Sequence, residues 1–177
     1  MKDLIDQVRL KFGFRQLRKE TNKQMRKNES VSLDNAKNIG ILVNIQNQNQ
    51  LTEAEKIVTS LSGFDKKVRL LGFISDKSLK LKSNIIDLIS LDDVEWNLVP
   101  KKDKIKTFVN NEFDILLNLC TEICFPLVYI TALSKSLFKV GAYDKKNSAF
   151  FDFMLATQQH SITGFTTELR YYLDKIK

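Results

Sequence analysis

EFDILLNLCTEICFPLVYITALSKSLFKVG, residues 112–141, reads as strand, turn, helix, strand. Residues 113–119 form a near-continuous apolar run, the pattern of a strand buried on both faces. Pro126 suits the first turn of a helix, where its missing N–H costs nothing. Leu127, Ile130, Thr131 and Ser134 follow at helical spacing. Residues 137–140 make a second short strand, closed by Gly141. Two strands joined by a helix are most simply parallel, with a right-handed crossover.

The same alternation extends in both directions. Toward the N-terminus, residues 39–45 (IGILVNI) read as a buried first strand and QNQNQ, 46–50, as a polar loop. Thr52 with Glu55 forms a capping box for a helix that buries Ala54, Ile57, Val58 and Leu61 and stops at Gly63. Residues 67–75 are a second strand and 85–91 a third, with Asp92 and Asp93 in the turn after it. Trp96, the single tryptophan, is expected to plug the core's edge, and 101–111 to form a short helix. Toward the C-terminus, residues 149–156 read as the last strand. A closing helix starts at Ser161 or Thr163 and buries Phe165, Leu169, Tyr172, Leu173 and Ile176.

This order implies an α/β fold: a single three-layer Rossmann-like domain, residues 31–177, with a mostly parallel sheet. A doubly wound strand order of 3-2-1-4-5-6 places residues 39–45 beside 113–119. The crevice at their carboxyl ends is then lined by Asn44, Gln46, Asn118, Thr121 and Glu122. It suits a small polar ligand such as a nucleotide or sugar, and with it a transferase-like activity.

No chemistry is written into the motifs. QNQNQ stands where a glycine-rich phosphate loop would follow the first strand, so conventional dinucleotide or P-loop binding is not expected. Cys120 and Cys124 are four apart and have no nearby histidine, which suits inert thiols better than a zinc or redox pair. His160 reads as a turn residue. Glu122, Asp92 and Asp93 are acids without a partner, and single carboxylates name no reaction. Neither a cofactor nor a metal is expected, and a non-enzymatic role is preferred.

Charge is more informative. Residues 9–27 hold eight of the 28 basic residues and one of the 21 acidic ones, leaving 20 of each elsewhere. The whole net charge of +7 therefore sits in one segment. Residues 1–30 read as a basic amphipathic helical arm, helical to about residue 28, with Asn28 to Asn38 as a hinge. Leu10, Phe14, Leu17, Thr21 and Met25 share one face, and Arg15, Lys19, Lys23 and Arg26 the opposite one. Before that stretch, Leu4, Ile5, Val8 and Phe12 point to a different side, and Gly13 marks the change as a kink or a break. Lys11, Arg15, Arg18, Lys19, Lys23, Arg26 and Lys27 are the candidate phosphate contacts for RNA, with ribosome association as one setting. The neutral domain would meet a protein partner or position the arm. A basic amphipathic helix also lies on anionic membrane surfaces, although this apolar face is narrow, is interrupted by Thr21 and lacks a tryptophan anchor. With no signal-peptide pattern and no apolar run long enough to span a bilayer, a cytoplasmic location is expected.

Three blocks carry a resemblance: IGIL at 39–42, FDILLNL at 113–119 with FPLVYITALSKSLFKVG at 125–141, and the terminal ELRYYLDKIK. Together they resemble a family of unknown function, small cytoplasmic α/β proteins of Bacteroidetes bacteria that carry a basic N-terminal segment. The resemblance implies the fold and assigns no functional residue. The strand-helix-strand unit is also similar to the N-terminal domain of heptosyltransferase-type glycosyltransferases, in ending on a basic residue, a hydrophobe and glycine.

Overall fold

The computed structural model describes residues 2–22 and 26–176, apart from the side chains of Lys2 and Asp3. Helix α1 spans Lys2–Thr21, followed by β1 (Asn38–Ile45), α2 (Gln48–Leu61), β2 (Lys67–Ile74), β3 (Asp87–Ser90) and α3 (Lys102–Val109). Then come β4 (Ile115–Asn118), α4 (Phe125–Leu133), β5 (Phe138–Ala142), β6 (Phe153–Leu155) and α5 (Ile162–Leu173). The six strands form one sheet in the order β3-β2-β1-β4-β5-β6, with every pairing parallel. This is the doubly wound Rossmann-like arrangement, and its strand order reverses at β1 and β4.

Period-two alternation divides the sheet's side chains between two apolar layers. Ile41, Val43, Ile115, Leu117 and Val140 face α2 and α5, where Leu51, Val58, Phe165 and Leu169 meet them. Leu42, Leu71, Phe73 and Leu116 face the other layer, built by α3, α4 and Leu17 of α1. All nine residues of α4 are buried. A helix that is apolar all round needs cover on its outer side, and α1 provides part of it: Phe14 meets Phe125 edge-on with ring centroids 4.7 Å apart.

The structure corrects several boundaries. Helix α1 ends at Thr21 rather than near residue 28; Thr21 Oγ1 turns back to the Leu17 carbonyl. The chain from Arg26 to Glu29 is instead tied to the start of β5. Arg26 donates to the carbonyls of Ser136 and Leu137, and the Glu29 amide donates to Leu137. Gly13 does not break α1, which runs without interruption from Lys2 to Thr21. A Cβ there would stand 2.6 Å from the Asn97 carbonyl oxygen and 2.7 Å from the Phe125 ring, so glycine allows a close approach. Asn47, not Thr52, caps α2 by accepting from the Gln50 amide at 2.9 Å, which turns QNQNQ into a cap and first turn. The third and last strands are shorter than expected. Ser90 caps a 3-10 turn at Leu91–Asp93, and a second such turn occupies Ser148–Phe150.

Trp96 does not plug the core. Glu95 and Val99 close a tight loop through the Glu95 amide and the Val99 carbonyl, and Leu98 within it has φ 64°. That left-handed conformation is uncommon for a residue with a branched side chain. The loop carries Trp96 out to solvent beside α1.

Candidate functional site

Two places invite a functional reading: the crevice at the carboxyl ends of β1 and β4, and the outward side of α1.

The crevice is largely occupied by its own structure. Asn118 is buried; its Nδ2 donates to Thr131 Oγ1 at 3.0 Å and its Oδ1 accepts from the Cys120 amide at 3.2 Å. Thr131 in turn donates to the Leu127 carbonyl. Asn118 therefore clamps β4 to α4 and has little left for a ligand. The Gln46 amide is taken by Gln50 Oε1. Thr121 is half-buried and Glu122 exposed. Two small cavities flank this segment. One of about 70 Å³ is bounded by Asn44, Gln46, Thr121, Glu122 and His160. The other, about 40 Å³, lies among Asn118, Cys124, Asn147 and Phe151. Small-molecule sites occupy roughly 300–1,000 Å³, so each of these suits water. Asn44 and Asn147 each bury an Oδ1 that has no partner among the described residues. His160 on the same cavity as Glu122 was not foreseen, because sequence places it only in a turn 38 positions away.

Both thiols are free. Burial pushes Cys124 up to about 12, and burial together with Cys124 raises Cys120 well above its ordinary value. Neither is a nucleophile at neutral pH. Among the described residues, no group of three or more His, Cys, Asp and Glu side chains is placed to hold a metal ion.

The amino ends of the strands hold a cation cluster instead. Asp152 binds Arg26 at 2.5 Å, Asn28 at 2.8 Å and the Lys139 amide at 2.8 Å. Lys139, in β5, is buried and donates its ammonium to the Ala132 carbonyl in the last turn of α4. Burial and the nearby Arg26 guanidinium push its pKa down to about 7, against the pull of Asp152. Arg26 is thus engaged on its own domain, and Lys27 pairs with Glu29 at 2.6 Å. Lys23 lies outside the described residues.

Helix α1 has two contrasting sides. Its inward side is fixed by polar bonds as well as by Phe14 and Leu17. Tyr129 of α4 donates to Glu20 at 2.7 Å, Gln16 donates to the same carboxylate, and Asn97 donates to Gln16. Burial raises the Glu20 carboxyl. The bonds from Tyr129 and Gln16, with Lys102 nearby, outweigh it and hold Glu20 below its ordinary value. Arg9 joins α1 to the Trp96 loop, its Nε donating to the Trp96 carbonyl at 2.5 Å.

The outward side carries Lys11, Arg15, Arg18 and Lys19, all exposed. Among the described residues none of these four side chains forms an ion pair or a hydrogen bond. Val8, Phe12 and Phe14 floor an open groove of about 810 Å³, and Lys11, Arg15, Arg18 and Lys146 rim it. Nearer the N-terminus the same side turns apolar, with Leu4, Ile5, Val8 and Phe12 exposed and Trp96 beside them.

The model of DUF6913, a family of unknown function, matches residues 9–176. The chain belongs to that family. The match begins at Arg9, within α1. No curated protein matches the chain. Among solved structures, the chain is similar to E. coli heptosyltransferase WaaC with ADP at 12% identity and a TM-score of 0.48, over 77% of this chain and 46% of that one. It is also similar to the same enzyme with ADP-2-deoxy-2-fluoro heptose at 15% identity and a TM-score of 0.38, over 75% and 47%. The chain spans less than half the length of those structures, and likeness at this level says nothing of activity. Among the described residues no helix is long and apolar enough to cross a membrane.

Proposed function

We propose that this protein is a binding protein that docks through α1 onto a polyanion, with the α/β body fixing how the helix is presented. One observation carries this reading: Lys11, Arg15, Arg18 and Lys19 stand exposed and, among the described residues, unpaired on a helix whose opposite side is locked to α4 and the Trp96 loop. Cations that hold no carboxylate of their own are free to meet phosphate or sulfate. Confining them to one side concentrates the field there. RNA, ribosomal or other, is the polyanion expected from the sequence. Arg26 and Lys27 contribute less than the sequence suggested, since both already have acidic partners. The crevice reading, a small polar ligand or a transferred group, is supported less well because each cavity is of water size.

Heparin, a polyanion with no bases and no acyl chains, tests the reading. Its affinity for the intact chain, measured against salt, is expected to fall with a log–log slope of about −3 to −4 if some four cations each displace a counterion. No binding at low salt, or binding indifferent to salt, would overturn it.

A further inference from the structure

We infer that the polyanion is the surface of an anionic lipid bilayer, which α1 and Trp96 enter from the side. This deepens the polyanion reading and depends on it. Leu4, Ile5, Val8, Phe12 and Trp96 are each between 44% and 66% exposed and lie together around the N-terminal half of α1. Their grouping is built rather than incidental. Arg9 holds the Trp96 backbone, the Phe12 and Trp96 rings stand 5.4 Å apart, and the loop tolerates Leu98 at φ 64° while presenting Trp96 outward. Leu98, Asn97 and Val99 of that loop turn inward, Leu98 and Val99 against the layer that α3 and α4 build, which leaves Trp96 facing out.

Charge complementarity selects the occupant. The apolar patch continues along the same side of α1 into Lys11, Arg15, Arg18 and Lys19, so its partner offers apolar material next to dense negative charge. A bilayer with anionic headgroups does both at adjacent depths: acyl chains receive the aliphatic side chains, the interface receives tryptophan, and phosphates meet the cations. RNA would account for the cations alone. Leu4, Ile5 and Val8 have no π-face to stack on bases, and the Phe12 and Trp96 rings are tilted 57° to one another rather than forming a flat platform. The missing tryptophan anchor, which weakened a membrane reading of the isolated segment, is supplied by a loop almost ninety residues further on.

Trp96 is the chain's single tryptophan, so its emission reports on this patch without a label. The intact chain is mixed with phosphatidylcholine vesicles, with and without phosphatidylglycerol, at low salt. Flotation is read alongside Trp96 emission and its quenching by lipids brominated on the acyl chains. Flotation only with phosphatidylglycerol, a blue shift and quenching are expected. The double variant Ile5→Ser/Val8→Ser should weaken vesicle binding by about tenfold while leaving heparin affinity unchanged. Arg15→Glu/Arg18→Glu should weaken both by about tenfold or more. Failure to float while heparin binding persists would overturn the lipid assignment alone, and RNA or an acidic protein would replace it. Flotation with unchanged Trp96 emission would overturn it as well, as would flotation of Ile5→Ser/Val8→Ser at wild-type affinity. Absence of heparin binding by the intact chain at low salt would overturn the polyanion reading beneath it.

Discussion

The two sides of α1 are made from one twenty-residue helix and differ in almost every respect. On the inner side each polar group has a partner: Glu20 has Tyr129 and Gln16, and Gln16 has Asn97. Leu17 is wholly buried there and Gly13 lets the helix close on Phe125. On the outer side Lys11, Arg15, Arg18 and Lys19 have no partner among the described residues, and Leu4, Ile5, Val8 and Phe12 are exposed beside Trp96. Folding explains the first set completely and the second not at all. Exposed apolar side chains next to unpartnered cations are the feature on which the proposed binding surface rests. Function is therefore to be sought where the helix's own fold leaves groups unused.

The comparison breaks most clearly on the inner side. Leu17→Ala should cost about 3 kcal/mol in urea unfolding, because a side chain with no exposure leaves a cavity between α1 and α4. A loss below about 1 kcal/mol would mean that α1 is not part of the core. Tyr129→Phe should cost about 1–2 kcal/mol at neutral pH by leaving Glu20 without its buried donor. Glu20 lies below its ordinary value in the folded state, so what it contributes is present above about pH 4.5 and is lost as pH falls through its folded pKa. The Tyr129→Phe penalty should shrink in acid accordingly.

Lys139 sharpens the same contrast from the other end of the sheet, as a cation that folding has taken out of water. Its pKa falls from 10.5 to about 7, so the unfolded chain binds the extra proton over that interval. Stability should rise with pH between about 7 and about 10, by up to a few kcal/mol from this group. Lys139→Met should lack that part of the rise, which guanidinium unfolding of both proteins at several pH values would show. The smallest effect belongs to the outer side. Phe12→Ser should move stability by no more than about 0.5 kcal/mol, and a larger loss would assign Phe12 to the fold instead.

The sheet was legible because its signal is local. IGILVNI and FDILLNL are apolar runs of strand length, and Pro126 and Ser161 punctuate the helices that follow. The doubly wound order came from that alternation, down to β1 beside β4. What could not be read depended on contacts distant in sequence. Arg26 looks like one more cation of an amphipathic arm until its guanidinium meets the carbonyls of Ser136 and Leu137, 110 and 111 positions away. Asn118 looks like a ligand at a strand end, but it is buried and its amide is engaged by Thr131 and Cys120. Trp96 has the composition of a core residue, and only the closed loop of Glu95 and Val99 turns it outward. The apolar group Leu4, Ile5, Val8 and Phe12 was visible in the sequence; that it stays uncovered, on the same side as the cations, was not.

Charge reversal on the outer side, read together with stability, addresses the account most directly. Arg15→Glu/Arg18→Glu should melt within about 2 °C of the native chain, since both side chains are exposed and unpaired. Its heparin affinity at low salt should fall by about tenfold or more. Native affinity in a variant that melts normally would contradict the claim that the outer side of α1 is where this protein binds.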